Sequence, residues 1–196
     1  MKKLFSRLTL TTATALTVAI TGGAIIGNSV LGETSIDLAK LRSAAVSKHN
    51  TYRATHNSPN LTISDSLNTS AQAWAENIAS TGQFEFEHST NRNNVGENIY
   101  ASYSSASTVD PTTLGNGAVE DWYSEIKDYK YESPGFSGNT GHFTQVVWKG
   151  STKLGCGAAQ GTATIEGKEY NASYVVCQYS PAGNGEGEFP DNVLKP

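Results

Sequence analysis

The spacing of apolar residues changes once along this chain, and that change limits the folds open to it. From Ile36 to His56 the positions Leu38, Leu41, Ala45, Tyr52 and His56 recur at helical spacing, with His49 on the same stripe. The pattern returns over Asp65 to Ser80 (Leu67, Ala71, Trp74, Ala75, Ile78) and over Gly117 to Asp128 (Val119, Trp122, Tyr123, Ile126). After that the period drops to two. Lys153–Ala159, Thr162–Ile165 and Tyr170–Tyr179 read as strands, with a hairpin turn at Glu166-Gly167. Helices first and neighbouring strands last exclude an alternating βαβ series and predict a layered α+β domain closed by a C-terminal antiparallel β-meander.

The punctuation fits this division. Thr34 and Asp37 form the expected cap of the first helix, Asn57-Ser58-Pro59-Asn60 breaks it, and Gly82 is placed to end the second. Residues 101–117 and Ser133–Gly141 are rich in small and polar residues and read as loops. His142–Trp148 fits a strand or a short helix, and periodicity does not separate the two.

The first 32 residues read as an address. Lys2, Lys3 and Arg7 form a basic head, an apolar stretch runs from Leu8 to about Ile26, and Val30 and Gly32 suit the −3 and −1 positions of a cleavage site. An uncleaved anchor is the alternative, because the stretch approaches spanning length, but its threonines, Gly22 and Gly23 favour cleavage before Glu33. The expectation is a signal peptide over 1–32 and a single domain over 33–196 of a secreted protein. Cleavage removes three positive charges and no negative one, moving the formal balance from −4 to −7. No basic run remains, which argues against nucleic acid and against docking onto anionic membranes. Cys156 and Cys177 are the only cysteines. In an oxidising compartment they are natural disulfide partners; two buried thiols are the alternative.

The four histidines separate by their company. His49 and His56 share the core-facing stripe of the first helix and read as packed, hydrogen-bonded residues. His88 opens the polar run His88-Ser89-Thr90-Asn91-Arg92-Asn93-Asn94, and His142 follows Gly138-Asn139-Thr140-Gly141, so both stand where a loop meets an ordered element. Glu125 lies on the border of the apolar face of the third helix. Two imidazoles and two carboxylates in one cleft would suit Zn²⁺ or another divalent cation, with water completing the shell. The chain has no H-E-x-x-H, C-x-x-C or G-x-S-x-G motif.

Several blocks carry a family resemblance. His49-Asn50-Thr51-Tyr52-Arg53, Gly96-Glu97-Asn98-Ile99-Tyr100, Gly141-His142-Phe143-Thr144-Gln145-Val146-Val147-Trp148, Leu154-Gly155-Cys156-Gly157 and Tyr174-Val175-Val176-Cys177-Gln178-Tyr179-Ser180-Pro181 occur in one order between about residues 40 and 190. They resemble the signature blocks of the CAP superfamily (cysteine-rich secretory, antigen-five and pathogenesis-related proteins), and the C-terminal half resembles its fungal pathogen-related branch. The resemblance implies a three-layer α-β-α sandwich with a central cleft. It implies His88 and His142 as metal ligands with Glu97 and Glu125 beside them, and a Cys156–Cys177 disulfide. It also implies a sterol or fatty-acid-like partner. The chain departs from the pattern in its single cysteine pair, in Ile63 where many members carry tryptophan, and in a longer run from His88 to Glu97.

Three functions follow as expectations. The first is a non-catalytic binding module holding a small apolar ligand and a divalent cation, with Trp122, Tyr123, Tyr129, Tyr131 and Phe136 as the aromatic supply. The second is a metal-assisted hydrolase on the same His/Glu cleft. The third is an interaction protein with a vestigial cleft.

Overall fold

The computed structural model describes residues 10–11, 36–82, 87–90 and 92–196. The expected leader lies outside them apart from Leu10 and Thr11, and so does Thr34. Strands β1 (Leu10–Thr11), β2 (Thr62–Ile63), β3 (Gly96–Ser104), β4 (Lys153–Ile165) and β5 (Lys168–Ser180) form one sheet in the order β1-β3-β5-β4-β2. The three long strands are antiparallel, and the two short ones pair parallel at the edges.

Because side chains alternate across a strand, this sheet builds a core on each face. On one face Cys156, Ala158, Val175, Cys177 and Tyr179 join residues of α1 (Leu38–Thr55), α3 (Pro111–Ser124) and α4 (Gly141–Val147), among them Leu41, Ala45, Trp122 and Phe143. On the other, Ile99, Ala163, Ala172, Tyr174 and Val176 meet Ala71, Ala75 and Ile78 of α2 (Asp65–Thr81). Leu41, Ile78 and Phe143 are essentially fully buried, each a contribution of about 2–3 kcal/mol. The result is the expected α-β-α sandwich.

The helix α2 lies unusually close to β4, and the sequence provides for it. A Cβ added at Gly157 would fall 2.3 Å from backbone atoms of Gln72, so only glycine admits this approach. The contact also completes the outer edge of β4. Cys156 N–H donates to Asn68 Oδ1 (2.9 Å) and Ala158 N–H to Gln72 Oε1 (3.0 Å). In return Gln72 Nε2 donates to Ala158 O (3.0 Å) and Arg42 Nε to Cys156 O (2.8 Å). Three side chains thus stand where a neighbouring strand would. Opposite this edge, Cys156 pairs with Cys177 in register, with Cα atoms 4.2 Å apart, and the expected disulfide is formed.

The buried stripe of α1 starts apolar with Leu41 and Ala45 and continues polar with His49 and Arg53. Burial obliges these groups to find partners. Arg53 donates to four carbonyls: Nε to Pro59 O (2.8 Å), one terminal nitrogen to Val146 O (3.0 Å) and Trp148 O (2.8 Å), and the other to Ser151 O (2.8 Å). It therefore satisfies carbonyls at the end of α4 that a helix leaves unpaired. Burial lowers its pKa from 12.5 to about 10. His49 and His56 are buried and hydrogen-bonded, as the stripe implies.

Several local expectations change. Asp37 rather than Thr34 caps α1, accepting from Lys40 N at 3.1 Å. Residues 101–117 are not one loop: β3 runs through Ser104, and Asp110-Pro111 begins α3 as N-cap and first turn. The third helix ends at Ser124, and a 3₁₀ turn carries Glu125–Asp128. Lys153–Ala159 and Thr162–Ile165 are one strand, and His142–Trp148 falls in α4 and its cap. Gly82 ends α2 in the left-handed region, and the Glu166-Gly167 turn has both residues there, at φ 50° and 77°.

Candidate functional site

Two histidine–carboxylate pairs are tied to the first residues of β3. In the first, Glu97 on β3 has a fully buried side chain that receives four hydrogen bonds. These come from His88 Nδ1 (2.8 Å), Ser89 N (2.9 Å), Ser89 Oγ (2.6 Å) and Gln178 Nε2 (2.9 Å). Gln178 is its register partner on β5. Burial alone would raise the Glu97 pKa, but the bonds from His88, Ser89 and Gln178 outweigh it and hold it down at about 2.

In the second pair, Glu125 projects from the turn after α3 to the start of α4. Its Oε1 accepts from His142 Nδ1 (2.8 Å), and its Oε2 from His142 N (3.0 Å) and Phe143 N (3.2 Å). The carboxylate therefore caps α4, whose own N-cap Thr140 makes no side-chain cap bond. One residue both anchors the helix and orients its imidazole.

In each pair a carboxylate accepts from Nδ1, so that nitrogen carries the proton and the lone pair lies on Nε2. Among the described residues, Nε2 of neither His88 nor His142 has a hydrogen-bond partner. The pairs are anchored on consecutive residues of β3. Glu97 serves the first, and Asn98 Nδ2 donates to His142 O (3.1 Å) beside the second. Asn98 also donates to the Tyr179 hydroxyl (3.1 Å), which bonds His49 Nε2 (2.8 Å), whose Nδ1 bonds Ala45 O (2.8 Å). A buried polar line thus runs from α1 to the backbone of His142. The structure brings His88 to Glu97 and His142 to Glu125. Among the described residues, no group of three or more His, Cys, Asp or Glu is placed to hold a metal ion.

A groove of about 560 Å³ opens beside the first pair, between α2 and Ser89, Thr90, Arg92, Asn93 and Val95. Ser89 and Gln178 line it while bonding Glu97 behind it. The aromatic series is mostly core: Trp122 is buried with Nε1 donating to Ile99 O (3.2 Å), and Tyr123 stacks on Tyr52 at 3.7 Å between ring centres. Phe136 is the exception at 52% exposed. Sequence reasoning missed Ser89, Asn98 and Gln178 as functional neighbours. Ser89 adjoins His88 in sequence, but Gln178 becomes visible only once β3 and β5 are set in register.

A helix–sheet–helix sandwich that seats two imidazole–carboxylate pairs at one end of its sheet defines a cleft-bearing α+β domain. Residues 46–179 match the family described as CAP, the cysteine-rich secretory protein family, and the chain belongs to it. It is 41% identical over 151 residues to the human Golgi-associated plant pathogenesis-related protein 1, covering 76% of this chain and 88% of that protein. It is 40% identical over 153 residues to Protein PRY2 of Saccharomyces cerevisiae, covering 78% of this chain and 40% of that longer protein. The fungal relatives, which include Secreted protein RBT4 of Candida albicans at 37% identity, support the fungal-type branch. Among solved structures, BmVAL-1 superposes with a TM-score of 0.62 at 28% identity over 84% of this chain and 87% of that one. NaASP2 with Zn²⁺ superposes at 0.60 and 26% identity over 80% and 87%. Among the described residues no helix is long and apolar enough to cross a membrane.

Proposed function

We propose that this chain is a secreted, non-catalytic CAP-type binding module that takes a divalent cation on His88 and His142 and a small apolar ligand beside them. The observation that carries the reading is the shared design of the two pairs. Each buried carboxylate fixes an Nδ1–H and leaves Nε2 as a ligand nitrogen, the arrangement that orients imidazoles toward zinc. The donor set fits an open site of two imidazoles completed by water. When bound, the ion would add positive charge beside Glu97 and Glu125. The structural relative NaASP2, solved with Zn²⁺, supports the same choice of metal for this chain.

The Glu97 network also weighs against hydrolysis. Ser89 Oγ is within bonding distance of a carboxylate beside a histidine, the components of a nucleophile system. Yet Ser89 Oγ donates to Glu97 itself and not to His88, so the imidazole that would act as base does not meet the serine hydroxyl. For the apolar ligand, a sterol or fatty-acid-like molecule suits the exposed Phe136, a ring atom of which lies 3.1 Å from where a Cβ would stand on Gly141, next to His142.

Zinc calorimetry on the parent and on His88→Ala/His142→Ala tests the cation site. Binding is expected in the parent and lost in the double variant. Unchanged binding in the double variant would refute the assignment. Titration with labelled sterol and fatty acid, run beside a hydrolase screen, decides the rest: turnover abolished by Glu97→Gln without lipid binding would overturn the non-catalytic reading.

A further inference from the structure

The groove that α2 forms with Ser89, Thr90, Arg92, Asn93 and Val95 has a chemistry distinct from both His/Glu pairs. From α2 it presents Ser70, Trp74 and Asn77, and from the facing segment Arg92 and Asn93, over a floor containing Gln178. Trp74 is half-buried, and its Nε1 donates to Glu87 O (3.1 Å), so the indole is held in place as a wall. Hydroxyl and amide groups surround that apolar face. Among the described residues, no aspartate or glutamate lines the groove.

The one cation among its described lining residues, Arg92, is already committed. Arg92 Nε donates to Ser89 O (3.0 Å) and stands 3.9 Å from Glu97 Oε1, so its charge is offset by a buried carboxylate. An anionic ligand would find little free positive charge and a chain of net charge −4, and a cationic one would find no carboxylate among the described lining residues. What remains is a rigid aromatic plane framed by neutral donors and acceptors, in a volume within the range of small-molecule sites. Sugar rings match such a surface: one flat C–H face packs on an indole, and the edge hydroxyls both donate and accept.

We infer that this groove binds a neutral carbohydrate, with Trp74 as the stacking wall and Asn77 and Asn93 as the hydroxyl-reading groups. The site does not depend on the proposed cation, although Ser89 and Gln178 connect the groove to Glu97.

The test is calorimetry of the full folded chain against the neutral tetrasaccharides of β-1,3-glucose, β-1,4-glucose and β-1,4-N-acetylglucosamine, at low and high salt. Saturable binding of at least one, with a dissociation constant of about a millimolar or tighter and no salt dependence, is expected. Trp74→Ala should abolish it. Because Trp74 also packs on the α2 core, the exposed Asn77→Ala and Asn93→Ala carry the decision: each should weaken binding about tenfold while the unfolding midpoint stays at the parent's. Failure of all three sugars to bind would overturn the inference. So would parental affinity in both asparagine variants, or binding that is lost at high salt.

Discussion

Acidification should unfold this protein in two separable stages, and His49 sets the first. Its ring is fully buried, with Nδ1–H donating to Ala45 O, so Nε2 must accept from the Tyr179 hydroxyl. Protonation removes that acceptor and places a cation in the core one turn from Arg53. Burial lowers its pKa most, the bond to Ala45 holds it up in part, and the Arg53 charge lowers it further, from 6.5 to about 4. A base whose folded pKa is depressed contributes stability that is complete above the unfolded value and is lost as pH falls toward the folded one. His49 therefore costs about 2 kcal/mol by pH 5 and about 3 kcal/mol by pH 4. Burial lowers His56 in the same direction, so a variant must isolate the effect. Urea unfolding of the parent and of His49→Gln at pH 7 and pH 5 provides it, since 2 kcal/mol moves a urea midpoint by about 1 M. The variant starts less stable, and its loss over this interval should be smaller than the parent's by about 2 kcal/mol. Equal losses in the two proteins would refute the assignment. The second stage belongs to Glu97, whose depressed pKa contributes stability that fades from about pH 4.5 down to about 2, worth about 3 kcal/mol in total.

Arg53→Met should destabilise the fold by about 3–5 kcal/mol in chemical denaturation, because it strands four carbonyls that one guanidinium satisfies; Arg53→Lys should recover only part of that. A Cys156→Ser/Cys177→Ser double variant should lose about 3 kcal/mol, the loop-closure effect of a 21-residue separation, and reduction of the parent should lower its thermal midpoint likewise.

Helices announced themselves in this sequence wherever one face alone is buried. The stripes of α1 and α2 are of that kind, and their bounds fall within a few residues of the structural ones. The strand β3 was illegible for the opposite reason: Gly96–Ile99 are buried on both sides, so no alternation survives, and Glu97 and Asn98 look like loop residues. The strand β4 reads as two pieces because its α2-facing positions include Gly155, Gly157 and Gly161, chosen for closeness rather than hydrophobicity. The start of α3 carried a legible signal, Asp110 before Pro111, which the Ser/Thr composition masked. Of the site, Glu97 and His142 lay in family blocks, and His88 and Glu125 stood out by a loop junction and by the border of an apolar helix face, whereas the pairing of the four came only with the fold. Nine residues separate His88 from Glu97 and seventeen separate Glu125 from His142, and neither spacing follows from a single element.

The side chains that complete the outer edge of β4 decide which intermediate is dangerous. While Asn68, Gln72 and Arg42 occupy the peptide groups of Cys156 and Ala158, that rim is no template for another chain. Two of the three ride on α2, so a form in which α2 alone has lifted away uncovers an open strand edge and the apolar sheet face behind it at the same moment. Aggregation of this protein should therefore follow the detachment of one helix rather than global unfolding, and a stronger hold of α2 on the sheet would protect solubility more than an equal gain elsewhere.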